Sequence, residues 1–254
     1  MRPDGSPVRA GTYPYLAEDV TSGWHVHDLH QVEYAIEGVV RVETAAARYL
    51  LPPQQALWIP AGLAHNTTLK KVHSISAFFE PRMIVGKAGR ARVLTVEPLF
   101  REMIRYAARW PIDRPAGDPL ADSYFETLAG LLDRWLENES PYQLPTSADP
   151  LVGAAMRFTE QHLDRVTFGE VCAAVAVSER TLRRRFASQT NLTWRAYLLR
   201  SRLLRAMALL AEADCTVLGV ATKVGFESAS AFARAFVAYT GQTPSVYRLL
   251  STHS

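Results

Sequence analysis

Two cysteines, Cys172 and Cys215, are all the thiol this 254-residue chain carries, and they stand far apart without metal-ligand spacing. That argues against a disulfide framework and against a cysteine-built metal site; buried free thiols in a reducing compartment are expected. Long apolar runs are lacking as well, since none approaches the roughly 18 to 20 residues needed to span a bilayer. The opening Met1-Arg-Pro-Asp-Gly-Ser-Pro7 has no apolar stretch of the secretory-leader kind. A cytoplasmic protein without membrane contact is the expectation. Charge of either sign is modest, 21% of residues with a net of +3, which fits a non-specific nucleoid binder poorly. The apolar share of 48% is that of an ordinary globular chain, and the length allows one or two domains.

The small net charge hides an asymmetry. Residues 148–254 hold 13 Lys/Arg against 8 Asp/Glu, whereas residues 1–147 hold 15 against 17. Basic charge therefore gathers in the C-terminal part, where contacts to phosphate would need it.

That same part contains one motif twice. The first copy reads Cys172-Ala-Ala-Val-Ala-Val177, then Ser178, Leu182, Arg184, Phe186, Thr190, Thr193 and Tyr197. The second reads Ala221-Thr-Lys-Val-Gly-Phe226, then Ser228, Phe232, Arg234, Phe236, Thr240, Thr243 and Tyr247. The offset is 49 up to Val177/Phe226 and 50 from Ser178/Ser228 onward, so the second turn holds one more residue. Each copy predicts a short helix, a tight turn and a second helix carrying Arg, which is a helix-turn-helix used twice. Thr167 and Ser178 are predicted caps. Leu182 and Phe186 face inward at i and i+4, leaving Arg180, Arg183 and Arg184 on an outward arc suited to guanine edges in a major groove. The plainer reading of those arginines, a solvated charged face, is weakened by the repeat. Ser178, Glu179 and Thr181 accompany them. In the second copy Ser228, Ala229, Ser230 and Arg234 face out; fewer donors predict phosphate contacts and modest base readout there.

Residues 1–80 read as β. Val32–Ile36 and Val39–Glu43 flank Glu37-Gly38, a turn signal, and strands at 49–51, 56–59 and 72–79 follow at the spacing of a sandwich or small barrel. Helical period takes over at 98–110 and 120–137. In the latter, Ala121, Phe125, Leu128, Leu132 and Trp135 form a stripe widened by Tyr124, Leu131 and Leu136. Such a face predicts either a buried core helix or packing on the domain and on a second subunit through 120–137. Residues 138–150, rich in Pro and Ser, read as a linker. The expected domains are thus 1–137, for sensing and dimerisation, and 151–254, for DNA binding. A helix over 195–213 should join the two motif copies.

Residues 150–250 resemble the DNA-binding domain of the AraC/XylS family of bacterial transcription regulators. The resemblance rests on Ser178-x-Arg-x-Leu-x-Arg-x-Phe186, Arg202-x3-Ala206-x3-Leu210, Val220-Ala-x3-Gly-Phe226, Ser228-x-Ser-x-Phe-x-Arg-x-Phe236 and Gly241-x-Thr-Pro-x2-Tyr-Arg248. It implies seven helices, two recognition helices and control of transcription at a promoter. Activation, with RNA polymerase as a further partner, is the family's commoner outcome. Cys172 stands where Ala is usual, Asn191 where Gly is common, and Trp194 where the second copy has Pro244.

The N-terminal part holds Trp24-His-Val-His-Asp-Leu-His-Gln-Val-Glu33 and Pro60-Ala-Gly-Leu-Ala-His65. Histidines and a carboxylate so grouped are ligand types for a divalent transition metal. His25 and His27 would share one side of a strand, where His65 meets them. This part is similar to a cupin. The first cupin motif is met by His25, His27, Glu33 and Gly38, and the second by Pro60, Gly62 and His65. The step from His27 to Glu33 is slightly long, which leaves His30, Gln31 or Glu33 as the third kind of ligand. The alternative is a pocket for a small organic effector, with Trp24, Tyr34 and Trp58 as lining, or histidines that merely satisfy the barrel mouth. No cofactor is certain on this reading.

The expected architecture is therefore α+β: a cupin-like β-barrel with trailing helices, then an all-α domain with two helix-turn-helix motifs. The expected function is a sequence-specific transcription regulator under a small-molecule or metal effector. The rival is a cupin metalloenzyme of dioxygenase or isomerase type, with His25, His27, Glu33 and His65 as ligands. An enzyme, however, has no use for a doubled helix-turn-helix.

Overall fold

The structure, a computed structural model, describes residues 9–53, 55–85, 89–137, 139–211 and 215–252. Residues 1–8, read above for a leader, lie outside them, as do Asn138 of the expected linker and Ala213 at the end of the expected connecting helix. The chain divides into two compact units. One runs up to Thr44 and resumes over Leu51–Tyr142; the other holds Ala45–Leu50 and the chain from Gln143 on.

Among the described residues the first unit is an antiparallel sheet with two α-helices and a short 3-10 helix at Pro81–Met83. Its strands are β1 (Ala10–Thr21), β2 (His30–Thr44), β4 (Gln55–Ile59), β5 (His65–Phe79), β6 (Arg92–Thr95) and β7 (Glu139–Ser140), in the order β1-β5-β2-β4-β6-β7. The expected turn at Glu37-Gly38 is instead an irregularity inside one 15-residue strand, with register shifts against β5 between Ala35 and Val39. Gly38 has φ +79°, and a Cβ there would meet the Lys71 carbonyl oxygen at 2.6 Å, so glycine serves a bulge and not a hairpin. Helix α1 (Pro98–Ala107) and helix α2 (Pro119–Trp135) follow. Asp118 caps α2 by accepting from the Leu120 and Ala121 N–H groups at 3.0 and 3.1 Å.

Tyr34, Trp58, Phe79, Phe100, Phe125, Leu128 and Leu132 build one buried core, in which Phe79 and Phe125 meet edge to face. Ala121, Phe125, Leu128 and Leu132 of the α2 stripe lie in that core; Ser123, Glu126, Thr127 and Gly130 face outward, and so does Leu120, which is 66% exposed. No helix among the described residues is long and apolar enough to cross a membrane.

The second unit is helical apart from β3 (Ala47–Leu51), which pairs with β8 (Gln143–Pro145). Its helices are α3 (Pro150–Gln161), α4 (Phe168–Ala174), α5 (Glu179–Thr190), α6 (Trp194–Leu210), α7 (Val217–Lys223), α8 (Ala229–Thr240) and α9 (Pro244–Thr252). Residues 138–150 differ from a plain linker, since β7, β8 and the Asp149 cap of α3 fall inside them. Strands of two and three residues are too short to leave a period in the sequence. Arg48 on β3 forms a two-pronged ion pair with Glu160 on α3 (one contact 2.8 Å) and donates to the Tyr197 hydroxyl at 3.1 Å; Tyr197 also donates to Glu160.

Candidate nucleic-acid interface and histidine cluster

The two motif copies fold alike down to single hydrogen bonds. In the first, Thr167 and Glu170 form a reciprocal capping box on α4, and Ser178 accepts from the Thr181 N–H at 3.3 Å to start α5. In the second, Thr216 caps α7 and Ser228 accepts from the Ala231 N–H at 3.2 Å to start α8. Each turn is closed by a six-residue return bond, Val177 N–H to the Cys172 carbonyl (3.1 Å) and Phe226 N–H to the Ala221 carbonyl (2.9 Å). Both require a left-handed residue, Ala176 at φ 53° and Gly225 at φ 81°.

The anchoring of the second helices repeats as well. Leu182 and Phe186 of α5, and Phe232 and Phe236 of α8, are buried. Phe186 meets Tyr197 at 5.3 Å between ring centroids, and Phe236 meets Tyr247 at 5.4 Å, both edge to face. Thr190 and Thr240 donate to the Phe186 and Phe236 carbonyls at 2.7 and 2.8 Å and accept from the Leu192 and Gln242 N–H groups. Asn191 (φ 56°) and Gly241 (φ 74°) end the helices. Where Trp194 replaces the second copy's Pro244, its indole N–H donates to Thr159 at 2.9 Å. Cys172 is buried among packing residues, and burial pushes its thiol pKa up.

With Leu182 and Phe186 turned inward, Arg180, Arg183, Arg184 and Arg185 are exposed along α5. They are not equivalent. Arg183 is tied to Glu179 one turn away (2.6 Å), and its guanidinium lies 5.1 Å from the Phe168 ring centroid. Arg185 reaches Asp149 at 3.5 Å. Arg180 and Arg184 make no ion pair or hydrogen bond among the described residues, and neither does Arg234 on α8. Ser228, Ala229, Ser230 and Arg234 are exposed, and Thr181 is half-buried. The residues sorted by sequence as one arginine cluster therefore split into held and free members. The signal for this, Glu179 four positions before Arg183, was present in the sequence; Phe168 and Asp149 were not legible as partners.

In the first unit His25 sits opposite His65 through a two-bond backbone bridge, each N–H to the other's carbonyl at 3.0 Å. The expected strand under His25 and His27 is otherwise absent; a loop and that bridge place them. The Gly62 N–H donates to the His27 carbonyl at 2.9 Å, fixing the 60–65 loop over the same spot. Ring centroids of His25 and His65 are 4.2 Å apart, and those of His27 and His65 are 5.1 Å apart. One nitrogen from each of the three rings lies within 4.8 Å of the others. His65 is fully buried, and burial, first, with the neighbouring His25 and His27 depresses its pKa to about 4, so the ring is neutral at ordinary pH.

The remaining candidates stand apart from this trio. His30 accepts the Ala61 N–H at 2.9 Å on Nδ1 and stacks near Trp58, 4.6 Å between ring centroids. Glu33 is buried, accepts from Ser76 and Gln31, and has its pKa raised by burial. It backs the cluster without entering it. Gln31 bridges the two, with Oε1 2.8 Å from His27 Nε2. The expected effector lining does not come together: Tyr34 and Trp58 are sealed in the core with no exposed surface, while Trp24 is 57% exposed. Ser76, which grips both Gln31 and Glu33, went unread, because the register of β5 against β2 is what brings it there.

Comparison with known proteins divides along the same two units. A family model described as an AraC-like ligand binding domain matches residues 7–148, and one described as a helix-turn-helix domain matches residues 171–249. The chain is 27% identical to the HTH-type transcriptional regulator NimR of Escherichia coli K12 over 94% of its own length and 85% of that protein's. It is 33% identical to the HTH-type transcriptional activator RhaR of Salmonella schwarzengrund, over 54% of this chain and half the length of RhaR. Among solved structures, ToxT of Vibrio cholerae O395 aligns with 97% of the chain and 98% of its own, at 12% identity and a TM-score of 0.42.

Proposed function

Because the chain belongs to the AraC family, transcription regulators that join a ligand-binding domain to a helix-turn-helix DNA-binding domain, we propose that α5 and α8 are its two reading helices. They are taken to enter neighbouring major grooves of one duplex. The observation that carries this is the matched anchoring of the two helices by Phe186–Tyr197 and Phe236–Tyr247, which leaves Arg184 and Arg234 exposed at the same repeat position. Helix α6, 17 residues between the copies, is roughly 26 Å long at 1.5 Å per residue. Adjacent groove faces are about 34 Å apart, a span the pair covers with modest bending of the DNA.

In this reading Arg180 and Arg184 contact bases, and Arg234 adds a phosphate or base contact. Arg183 with Glu179 stiffens the first turn of α5. Ser178, Thr181, Ser228 and Ser230 offer hydroxyls to phosphate, with Ala229 beside them as an apolar contact. The N-terminal unit, residues 1–137 as a domain, holds the effector, a small organic molecule or a divalent transition metal. The bound effector shifts the population of the DNA-binding state by its differential affinity for it. Activation through RNA polymerase fits the naming of RhaR as an activator.

The test is fluorescence anisotropy on the DNA upstream of the protein's own gene and on random duplex. Arg180→Ala and Arg184→Ala are expected to cost roughly 1–3 kcal/mol each on the specific site and much less on random DNA. Equal losses on both would remove base readout from α5.

A further inference from the structure

Tyr197, the ring against which Phe186 of α5 is seated, is buried, yet its hydroxyl is held from two sides. It donates to Glu160 Oε1 on α3 and accepts from Arg48 Nη2 on β3 at 3.1 Å. The same guanidinium grips both Glu160 oxygens, at 2.8 Å through Nη1 and 2.5 Å through Nη2. A planar fork meeting a carboxylate in this way fixes direction as well as distance. Each member of the triad is oriented by the other two.

The second copy lacks the acid of this triad. Helix α3 packs on α4, α5 and α6 as α6 packs on α7, α8 and α9, so the repeat extends to these helices. At the offset of 49 that holds up to Val177, Glu160 falls on Leu209, which is buried. Arg48 comes from β3, outside the repeat altogether. The ring pair is common to both copies, 5.3 Å between centroids in the first and 5.4 Å in the second. What the first copy adds to it is a tether on the phenol oxygen. The first copy is also the one whose second helix carries four exposed arginines, against Arg234 alone on α8. Arg184 lies two residues before Phe186. A Tyr197 ring free to rock would let Phe186 shift and carry Arg184 with it. Two parallel hydrogen bonds from a guanidinium to a guanine edge tolerate little of that, because a site must be held to about half an ångström.

We propose that Arg48 is a positioning residue of the first reading helix. Through Glu160 and the Tyr197 hydroxyl it fixes the ring that seats Phe186, and so sets where Arg180 and Arg184 meet the bases. This deepens, and rests on, the reading of α5 as a base-contacting helix; Arg48 itself touches no DNA in it. The residue that steadies base readout thus stands in sequence between β2 and β4, strands of the sheet unit, while it counts with the helical one.

The experiment uses the full chain and fluorescence anisotropy on the DNA upstream of its own gene and on random duplex. Arg48→Ala should weaken the specific complex about tenfold and leave random duplex within about twofold, since phosphate contacts tolerate a shifted helix. Arg48→Lys keeps a cation on Glu160 and should recover part of the loss. Tyr197→Phe keeps the ring and drops the hydroxyl; it should weaken the specific complex alike, and Arg48→Ala added to it should cost no more. The loss in Arg48→Ala should likewise shrink on an Arg184→Ala background and add in full to that of Arg234→Ala. Equal weakening on both DNAs, or a loss that persists undiminished in the Tyr197→Phe chain, marks a general folding defect and overturns the inference. So does a specific affinity unchanged in Arg48→Ala while Arg184→Ala lowers it, a result that leaves α5 standing as a reading helix. An Arg184→Ala chain weakened equally on specific and random DNA overturns that reading, and the inference with it.

Discussion

In the first helix-turn-helix copy the left-handed turn residue is Ala176, exposed; in the second it is Gly225, where a Cβ would lie 2.4 Å from the Asp164 carbonyl oxygen and 2.6 Å from the Arg202 guanidinium. The backbone angle is nearly the same, yet only one copy demands glycine. Close approach of a neighbouring loop makes the second turn strict, while the first accepts the modest strain of alanine because nothing crowds it. A similar contrast runs along the reading helices. Helix α5 carries four exposed arginines, two of them tied to acids, whereas α8 presents small residues and Arg234. The copies share a scaffold and differ in the side chains they present on it.

The largest effects test the shared scaffold. Phe186→Ala and Phe236→Ala should each cost about 3–5 kcal/mol in urea unfolding, the usual range for emptying a buried aromatic site. Losses differing by more than about 2 kcal/mol would mean that the copies are not anchored alike. Next comes the turn. Gly225→Ala should destabilise by about 3 kcal/mol, from steric conflict added to left-handed strain; a thermal midpoint unchanged from wild type would refute the crowding argument. The reading helices follow. Arg184→Ala should weaken specific binding by roughly 1–3 kcal/mol, with Arg234→Ala and Arg183→Ala each below that. A larger loss at Arg234 would move the main readout to α8. Smallest is Ala176→Gly, expected to stabilise by about 0.5–1 kcal/mol as the strain is released, and detectable as a raised midpoint.

What was legible in the sequence was local. Ser178 and Ser228 as caps, Phe186 and Phe236 as anchors, and the exposed arginine positions all follow from helix period and repeat offset, which need no knowledge of the rest of the chain. Where the sequence misled, the deciding contact was distant. Glu37-Gly38 read as a turn, but the register of β2 against β5 makes it a bulge. Tyr34 and Trp58 read as pocket lining, since an inward aromatic looks the same whether it faces a cavity or a packed core. The histidine cluster was legible in its members, His25, His27 and His65, because two short motifs carry them. The different duties of Gln31, His30 and Glu33 were not, because Ser76, Ala61 and Trp58 decide them from other strands and loops.

One further consequence comes from the six residues Ala45–Leu50, which count with the helical unit although residues 51–142 separate them from the rest of it. A fragment begun at residue 143 or later would discard Arg48. Glu160 would lose its guanidinium partner, and Gln143–Pro145 would lose the strand alongside it. Excising the DNA-reading half for separate expression thus calls for a splice that carries this short ribbon along.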